Sequence, residues 1–337
     1  MVWLVWLKFL LCLIVIFFAG TKLARYGDVI AEKTGLGGLW IGILLMATAT
    51  SLPELFTGIS AVALVGAPNL ALGDAFGSNL FNLMIIAVLD ILHREGPLLI
   101  RVRIGQLLLG GLSIVLIAFA TLAIFFSTNI SGLHLGWVSI FTPLLVAVYL
   151  LSLRRAFLHE RSQQVQATEE VKIPRYEGIS LPRAYTYYSI AAAFVIAGAL
   201  WLAFVGEEIT EITGWGPTFV GSLFLAAVTS TPEVVVSITA LRMGAADMAV
   251  ANMLGSNMFN MGIVLASDDL FYRTGPLFEN VSISHVFSGL IAILMTCVIV
   301  VELASTSRKK MPPGVSWYSI VLIALYLLGF YILFITG

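Results

Sequence analysis

Long apolar runs, each about the length of a membrane-spanning helix, alternate with short polar breaks along the whole chain. A spanning helix needs about 20 mostly apolar residues. Ten runs reach that length, five before and five after a polar stretch at residues 154–183. The pattern predicts an all-α polytopic membrane protein with ten transmembrane helices near residues 2–20, 37–65, 70–91, 104–127, 134–153, 186–206, 215–242, 246–270, 283–303 and 315–336.

Composition excludes a soluble domain. The 337 residues are 59% hydrophobic and 11% charged, whereas a soluble domain has roughly 25% charged residues. A formal net charge of −1 gives no general attraction to nucleic acid. Cys12 and Cys297 lie in apolar runs, which favours packing roles over a disulfide or a metal site. We expect the lipid bilayer as the surrounding medium, and neither nucleic acid nor an obligatory protein partner.

The sequence lacks the patterns that mark an enzyme. The four histidines lie at or near loops and share no ligand spacing, and there is no glycine-rich phosphate-binding loop. No nucleophile is clustered with a base. We therefore expect no catalytic residues and no cofactor. The polar residues inside the apolar runs become the candidates for function.

Basic residues fall on one side of the predicted spans. Lys and Arg concentrate on the cytoplasmic side of membrane proteins. Of the 18 basic residues, all except Lys8 and Arg273 fall in the loops after the first, third, fifth, seventh and ninth spans. This asymmetry predicts a multi-pass protein of the cell (plasma) membrane, with both termini extracellular and a cytoplasmic linker at residues 154–185.

The two halves of the chain repeat each other at a constant offset, apart from a one-residue gap inside the match. TSLPE at Thr50 matches TSTPE at Thr229, and GSNLFN at Gly77 matches GSNMFN at Gly255. Because each copy has five spans, the second copy enters the membrane upside down, as in many secondary transporters. We predict a first repeat at residues 1–153, with its motif at 47–82, and an inverted second repeat at 186–337, with its motif at 226–260.

A glutamate follows a proline in the middle of one apolar run of each repeat, at Glu54 and Glu233. An ionisable side chain inside a span is costly and normally marks a transport pathway or site. Each proline lacks an N–H for the carbonyl four residues earlier. Carboxylate, hydroxyl and carbonyl oxygens together suit hard cations such as Ca²⁺, which takes about 6–8 oxygen ligands. The carbonyls belong to Ala49 and Val228, and the hydroxyls one turn before the glutamates belong to Thr50 and Thr229.

A second polar segment follows in each repeat, as GDAFGSNLFN and ANMLGSNMFN. These residues either bind cations or serve as polar glue between helices, which is common in membrane bundles. The first copy offers Asp74, Ser78, Asn79 and Asn82, and the second offers Asn252, Ser256, Asn257 and Asn260.

Three aspartates lie close to the ends of predicted spans. Asp90 and Asp269 match across the repeats, and Asp268 precedes the second of them. Because span ends lie near water, we expect these three to be interfacial residues rather than ligands.

The doubled motifs resemble the alpha-1 and alpha-2 repeats of the cation/calcium antiporter superfamily, and most of all those of prokaryotic sodium/calcium exchangers. The resemblance covers nearly the whole chain, from GTKLARYGDVIAEKTGLGGLWIG to the last span. It implies a sodium/calcium exchanger-like fold of ten helices, alternating access and a central cluster of cation sites. Position by position it implies calcium ligation by Glu54 and Glu233, threonines beside them at Thr50 and Thr229, serines near sodium sites at Ser51 and Ser230, and an acid and an amide at Asp74 and Asn252.

The sequence departs from the family pattern at two kinds of position. The family usually carries Asn in the first copy and Asp in the second at the last pair, so the acid at Asp74 has changed sides relative to Asn252. The glycine that usually precedes Thr-Ser is replaced by Ala49 and Val228, and the glycine that usually precedes Asn252 is replaced by Ala251. The number of carboxylates is unchanged, so these departures concern the sodium sites more than calcium binding.

Together these features predict a secondary active antiporter that exchanges Ca²⁺ for Na⁺ by alternating access, with both ions transported. The alternative is a proton-coupled Ca²⁺/cation antiporter, in which the same glutamates take up H⁺. A passive channel or a non-transporting sensor is a rival of another class, which the inverted repeat and the broken helices disfavour. Many hydroxyl and amide oxygens surround only three acids, which favours sodium, because a proton needs only a carboxylate.

Overall fold

The computed structural model describes residues 2–34, 47–93, 96–103, 105–130, 132–164, 178–305 and 316–336. Within these ranges nine helices are long and apolar enough to cross a membrane, and two shorter helices joined at a 46° bend make a tenth span. This confirms the all-α architecture predicted from the sequence. The helices are α1 (Val2–Lys33), α2 (Ala47–Val65), α3 (Pro68–Leu92), α4 (Gln106–Asn129), α5 (Phe141–Gln164), α6 (Leu181–Thr213), α7 (Pro217–Thr229), α8 (Thr231–Arg242), α9 (Ala246–Phe271), α10 (Ser284–Ala304) and α11 (Trp317–Thr336).

Span boundaries differ from the prediction in two places. Helix α1 continues to Lys33 instead of ending at residue 20, because apolar residues from Leu23 to Ala31 recur at helical spacing and are buried. The predicted start of the fifth span is instead a hairpin of β1 (His134–Leu135) and β2 (Val138–Ser139), turned at Gly136 with φ of 68°. The predicted start of the second span, residues 37–46, lies outside the described residues.

The predicted linker at residues 154–185 is partly helical. Helix α5 runs on to Gln164, and α6 begins at Leu181, so both flanking helices extend into it. A proline at the second position of α6, Pro182, suits a helix start because its missing N–H would have no partner there. The cytoplasmic location of this segment stays a prediction.

Two π-helical turns keep the inverted repeats in step. From Glu54 to Ser78 the first copy is one residue longer than the matching segment of the second copy, from Glu233 to Ser256. From Ser78 to Asp90 it is one residue shorter than the matching segment from Ser256 to Asp269, so the two copies return to the same offset. The first change coincides with the π turn Ala61–Val65 in α2, and the second with the π turn Asn260–Val264 in α9. A π turn inserts one extra residue into a helix. The one-residue gap in the sequence repeat is therefore absorbed inside helices, without displacing the motifs on either side.

Helices α3 and α9, which carry the two GSN motifs, form the centre of the bundle. In their most apolar windows 72% of α3 and 83% of α9 are buried. Helix α3 approaches α7 closely at Gly73 and Gly77, where an added Cβ would meet the backbones of Gly221 and Ser222. These glycines allow side chains from opposite repeats to meet.

The long helices α1 and α6 pack against each other, and each contacts the broken span of the opposite repeat. Gly20 of α1 lies against Pro232 of α8, at the break. Thr57 and Ser60 of α2 donate hydrogen bonds to carbonyls of α6, at 3.2 and 2.8 Å. Both long helices therefore contact the spans that carry Glu54 and Glu233.

The prediction that Asp90 and Asp269 lie near water is wrong. Both carboxylates are buried, and each accepts a hydrogen bond of 2.8 Å from the backbone N–H eight residues later, at Leu98 and Leu277. Each also binds side chains of a distant helix. These donors are Ser319 (2.6 Å) and Tyr318 for Asp90, and Thr142 for Asp269. The two matched acids tie together the ends of neighbouring spans.

Candidate cation-binding site

The site forms where two spans are interrupted, at Ser51 in α2 and at Ser230 between α7 and α8. These residues have nearly equal backbone angles, with φ and ψ of −89° and 11° at Ser51 and of −82° and 6° at Ser230. A proline two residues later, Pro53 or Pro232, supplies no N–H for the ladder of the preceding helix. Each interruption therefore starts a new helix in the interior of the protein.

Glu54 and Glu233 lie in the first turns of these new helices and are fully buried. A helix N-terminus is the end that stabilises negative charge. Each glutamate accepts a hydrogen bond from the break serine of the other repeat. Ser51 Oγ donates to Glu233 Oε1 at 3.0 Å, and Ser230 Oγ donates to Glu54 Oε1 at 3.1 Å. The two motifs therefore meet face to face and exchange contacts.

The hydroxyls around the glutamates come from four helices. Ser256 of α9 donates to Glu233 Oε1 at 3.2 Å, and Ser78 of α3 lies 3.3 Å from the hydroxyl of Thr229. Thr50 donates to the carbonyl of Ala47 at 3.2 Å, one turn before Glu54. The structure thus places the predicted Thr and Ser residues of both motifs in one buried region.

The carbonyls released by the prolines differ between the repeats. Thr231 donates a hydrogen bond of 2.7 Å to the carbonyl of Val228. The matching position in the first repeat is Leu52, which has no hydroxyl for the carbonyl of Ala49. The prediction that both carbonyls lose their donors is therefore wrong for Val228, although a carbonyl with one hydrogen bond keeps a second lone pair for a cation.

Asp74 joins the two glutamates, whereas Asn252 has a different neighbour. Asp74 Oδ1 accepts a hydrogen bond of 2.9 Å from Thr229, and its carboxylate interacts electrostatically with Glu54 and Glu233. Asn252 instead donates to Ser237 of its own repeat at 3.2 Å. The exchange of acid and amide between the copies therefore makes the site asymmetric.

Four asparagines link α3 to α9 across the centre. Asn79 and Asn257 each donate to the backbone carbonyl of the other, at 3.5 and 3.3 Å. Asn82 donates to Asn257 Oδ1 at 3.0 Å, and Asn260 donates to Asn79 Oδ1 at 3.2 Å. Asn79 and Asn257 are polar glue, whereas the side-chain oxygens of Asn82 and Asn260 keep no partner among the described residues. The doubled GSN motif marks all four asparagines in the sequence, but it does not separate the two roles.

A set of buried oxygens in this region has no hydrogen-bond partner within the described part of the chain. An unpaired buried acceptor is unfavourable, and a hard cation binds such oxygens well. No described basic side chain forms an ion pair with the three acids. No three described acids, histidines or cysteines form a metal site alone, so a bound cation would need neutral oxygens as well. The unpartnered atoms are Glu54 Oε2, Glu233 Oε2, Asp74 Oδ2, Asn82 Oδ1, Asn252 Oδ1 and Asn260 Oδ1.

Known structures share this fold. The structure of the sodium-calcium exchanger NCX_Mj soaked with Na⁺ and Sr²⁺ matches 98% of this chain and 99% of its own, at 21% identity and a TM-score of 0.62. Native YfkE matches over 97% of this chain and 92% of its own, at 18% identity and a TM-score of 0.67. These likenesses show that the chain shares their fold.

Related sequences cover most of the chain. The sodium/calcium exchanger MaX1 of Methanosarcina acetivorans is 26% identical over 344 residues, which cover 92% of this chain and 93% of that protein. The inner membrane protein YrbG of Escherichia coli (strain K12) is 25% identical over 266 residues, 75% of each chain. The family described as sodium/calcium exchanger protein matches residues 4–181 and 183–337, so both repeats are covered. The chain therefore belongs to the sodium/calcium exchanger family of membrane transporters.

Proposed function

We propose that this protein exchanges Ca²⁺ for Na⁺ across the cell membrane by alternating access. The observation that carries the proposal is the reciprocal contact at the two breaks, where each serine binds the glutamate of the other repeat. One oxygen of each glutamate stays unpartnered in the same buried region. Two inverted halves therefore build one site whose charge only a cation or protons can balance.

Calcium binding would use Glu54 and Glu233 together with neutral oxygens. Each glutamate has one oxygen held by a serine and one without a partner among the described residues, so the carboxylates are oriented before an ion arrives. The hydroxyls of Thr50 and Thr229 and the carbonyls of Ala49 and Val228 lie beside them in the chain. This donor set consists of oxygen atoms only, as Ca²⁺ requires.

Sodium binding would use the hydroxyl and amide oxygens around the same acids. Ser51, Ser230, Ser78 and Ser256 supply hydroxyls, and Asp74 supplies the third charge. Three carboxylates neutralise one Ca²⁺ or several Na⁺, but not a full set of both. The two ions would therefore compete, and binding of either set would permit the change between inward-facing and outward-facing forms. Asn252, which binds Ser237, would act at the edge of this region.

A proton-coupled antiporter is the second candidate, because unpartnered carboxylate oxygens also accept protons. The neutral oxygens favour sodium, since Asn82 and Asn260 present unpartnered amide oxygens that a proton on a carboxylate would not need. On the distribution of basic residues we also propose extracellular termini and a cytoplasmic linker.

Reconstituted transport tests the proposal. Purified protein in liposomes should take up radiolabelled Ca²⁺ when a sodium gradient is imposed at constant pH. Glu54→Gln and Glu233→Gln should nearly abolish this uptake, because each removes a charge at the centre of the site. Glu211→Gln, at an exposed acid near the end of α6, is the matched control and should transport normally. Uptake driven fully by a pH gradient, with no response to sodium, would favour the proton-coupled candidate instead.

A further inference from the structure

Asp268 is a buried acid that the central site does not use. It is 0% exposed, and neither of its oxygens has a hydrogen-bond partner among the described residues. Its neighbour Asp269, by contrast, accepts hydrogen bonds from Ser139, Thr142 and Leu277. Asp269 therefore has a structural role that Asp268 lacks, and the prediction that Asp268 lies near water is wrong.

The π turn in α9 explains where Asp268 points. Asp90 lies eight residues after Asn82, and Asp268 lies eight residues after Asn260. The extra residue of the π turn Asn260–Val264 shifts the helical phase, so Asp269 takes the position that matches Asp90. Asp268 is thereby turned toward α2. The residue that matches Asp268 in the first repeat is the apolar Leu89 of α3.

Asp268 lies against Gly58, one helical turn from Glu54. Gly58 and Glu54 are four residues apart and share a face of α2. A Cβ added at Gly58 would lie 2.8 Å from Asp268 Oδ2, so a larger residue here would force this carboxylate to move. The rise of an α-helix places Gly58 about 6 Å along the axis from Glu54. Asp268 therefore extends the acidic region from the centre toward the turn between α2 and α3.

Asp268 also lies on the side of Asp74, because Asp74 and Gly58 hold the positions that Asn252 and Ser237 hold in the other repeat, where these two residues are in contact. Asp74 Oδ2 has no hydrogen-bond partner within the described ranges either. Two buried carboxylates near each other repel unless a cation or a proton lies between them. Among the described residues no basic side chain forms an ion pair with either acid.

The matching corner of the other repeat is neutral and hydrogen-bonded. Ser237 stands in the position of Gly58, and Asn252 in that of Asp74. Asn252 donates to Ser237 at 3.2 Å, and Ser237 donates to the carbonyl of Ala249 at 3.2 Å. On the side of Asp268, a glycine and two acids stand in place of these hydrogen-bonded residues. The departure is thus confined to one corner and consists of three coordinated changes.

We propose that Asp268 and Asp74 form an additional binding site for one sodium ion, next to the central site on the side of the α2–α3 turn. Asp268 adds one negative charge to the three central ones, and one monovalent cation balances it. The inference deepens the proposed sodium-coupled exchange and rests on it, because Asp74 belongs to both sites.

Equilibrium binding of radiolabelled sodium and calcium to the purified full chain tests the site. Asp268→Asn, which keeps the shape of the side chain, should bind one sodium ion fewer per chain while its calcium affinity stays within about twofold of wild type, since Glu54 and Glu233 are untouched. Asp247→Asn is the matched control, since it makes the same change at an acid paired with Arg103 at the other end of α9. It should bind both ions as the wild type does.

A second variant tests the same corner from the facing helix. Gly58→Ala keeps the acid but places a methyl group against it, and should weaken sodium binding while calcium binding remains measurable. This variant decides the question if Asp268→Asn fails to fold. An unchanged sodium count in Asp268→Asn would overturn the site. A change only in the pH dependence of calcium binding would assign a proton to Asp268 and also overturn it. A wild-type protein that binds sodium but does not exchange would refute the proposed function alone.

Discussion

Replacing Gly77 with alanine tests the close contact that brings the two repeats together. An added Cβ would lie 2.8 Å from the backbone carbonyl carbon of Ser222, and closer still to its Cα and oxygen. Carbon atoms in contact prefer about 3.5–4.0 Å. Helix α3 and the π turn Gly221–Leu225 of α7 would therefore have to separate by roughly 1 Å. Backbone atoms on both sides leave no flexible side chain to move away.

That separation acts on two contacts of the site. Ser78 lies 3.3 Å from the hydroxyl of Thr229, and Thr229 donates to Asp74 at 2.9 Å. A shift of about 1 Å takes both beyond hydrogen-bonding distance. Overpacking of this kind costs about 1–3 kcal/mol of stability. A loss of about 1.4 kcal/mol in ion binding alone weakens affinity tenfold, so we expect exchange at low calcium to fall at least that far.

Calcium uptake into proteoliposomes and thermal unfolding of the purified protein measure the two effects. Gly111→Ala is the matched control, because nothing described lies within 4 Å of a Cβ at that position in α4. It should transport normally and be slightly more stable, since alanine favours a helix over glycine by about 1 kcal/mol. Wild-type uptake and stability in Gly77→Ala would show that α3 and α7 do not meet as described, and would remove the basis for a shared site.

Three further predictions concern stability and orientation. Tyr318→Phe removes a buried donor from Asp90 and should lower the free energy of unfolding by about 1–3 kcal/mol, with the sodium dependence of exchange unchanged; an unaltered unfolding midpoint would contradict this. Calcium at about 100 times its dissociation constant should stabilise the protein by about 2.7 kcal/mol, an effect that Glu54→Gln should remove. In a cysteine-free background, Leu135→Cys, on the exposed hairpin, should react with an impermeant thiol reagent in intact cells, and a cysteine at Ser162 only after the membrane is opened.

The broken spans could be predicted from sequence because their signal is local. Pro53 and Glu54 stand out in an apolar run, and their repetition at Pro232 and Glu233 makes chance implausible. The reciprocal pairing of Ser51 with Glu233 could not be predicted in the same way. It joins residues 182 positions apart, and it depends on how the two halves pack.

The three aspartates near span ends, Asp90, Asp268 and Asp269, show a different limit of prediction from sequence. An acid near a span end normally faces water. Asp90 of the first repeat instead accepts hydrogen bonds from Tyr318 and Ser319 of α11, the last helix of the second repeat. No local pattern contains that contact. The burial of Asp268 depends on the phase change at a π turn, which leaves no clear mark in composition or periodicity. Tertiary packing decides the surroundings of all three acids, whereas the repeat alone identified Glu54 and Glu233.

The unpartnered oxygens of Glu54, Glu233 and Asp74 bear on why an exchanger does not leak. A closed form that buries a carboxylate without a balancing charge is disfavoured by several kcal/mol per ion. Each step of about 1.4 kcal/mol changes a rate or an equilibrium constant tenfold. Even two of the three charges left unbalanced would therefore slow the closing of an unloaded carrier by roughly a thousandfold or more. The unloaded carrier would thus wait on one side until cations from that side refill it. Under the proposed exchange, obligatory coupling of the two fluxes would then need no separate gate, because the electrostatic self-energy of the site would enforce it.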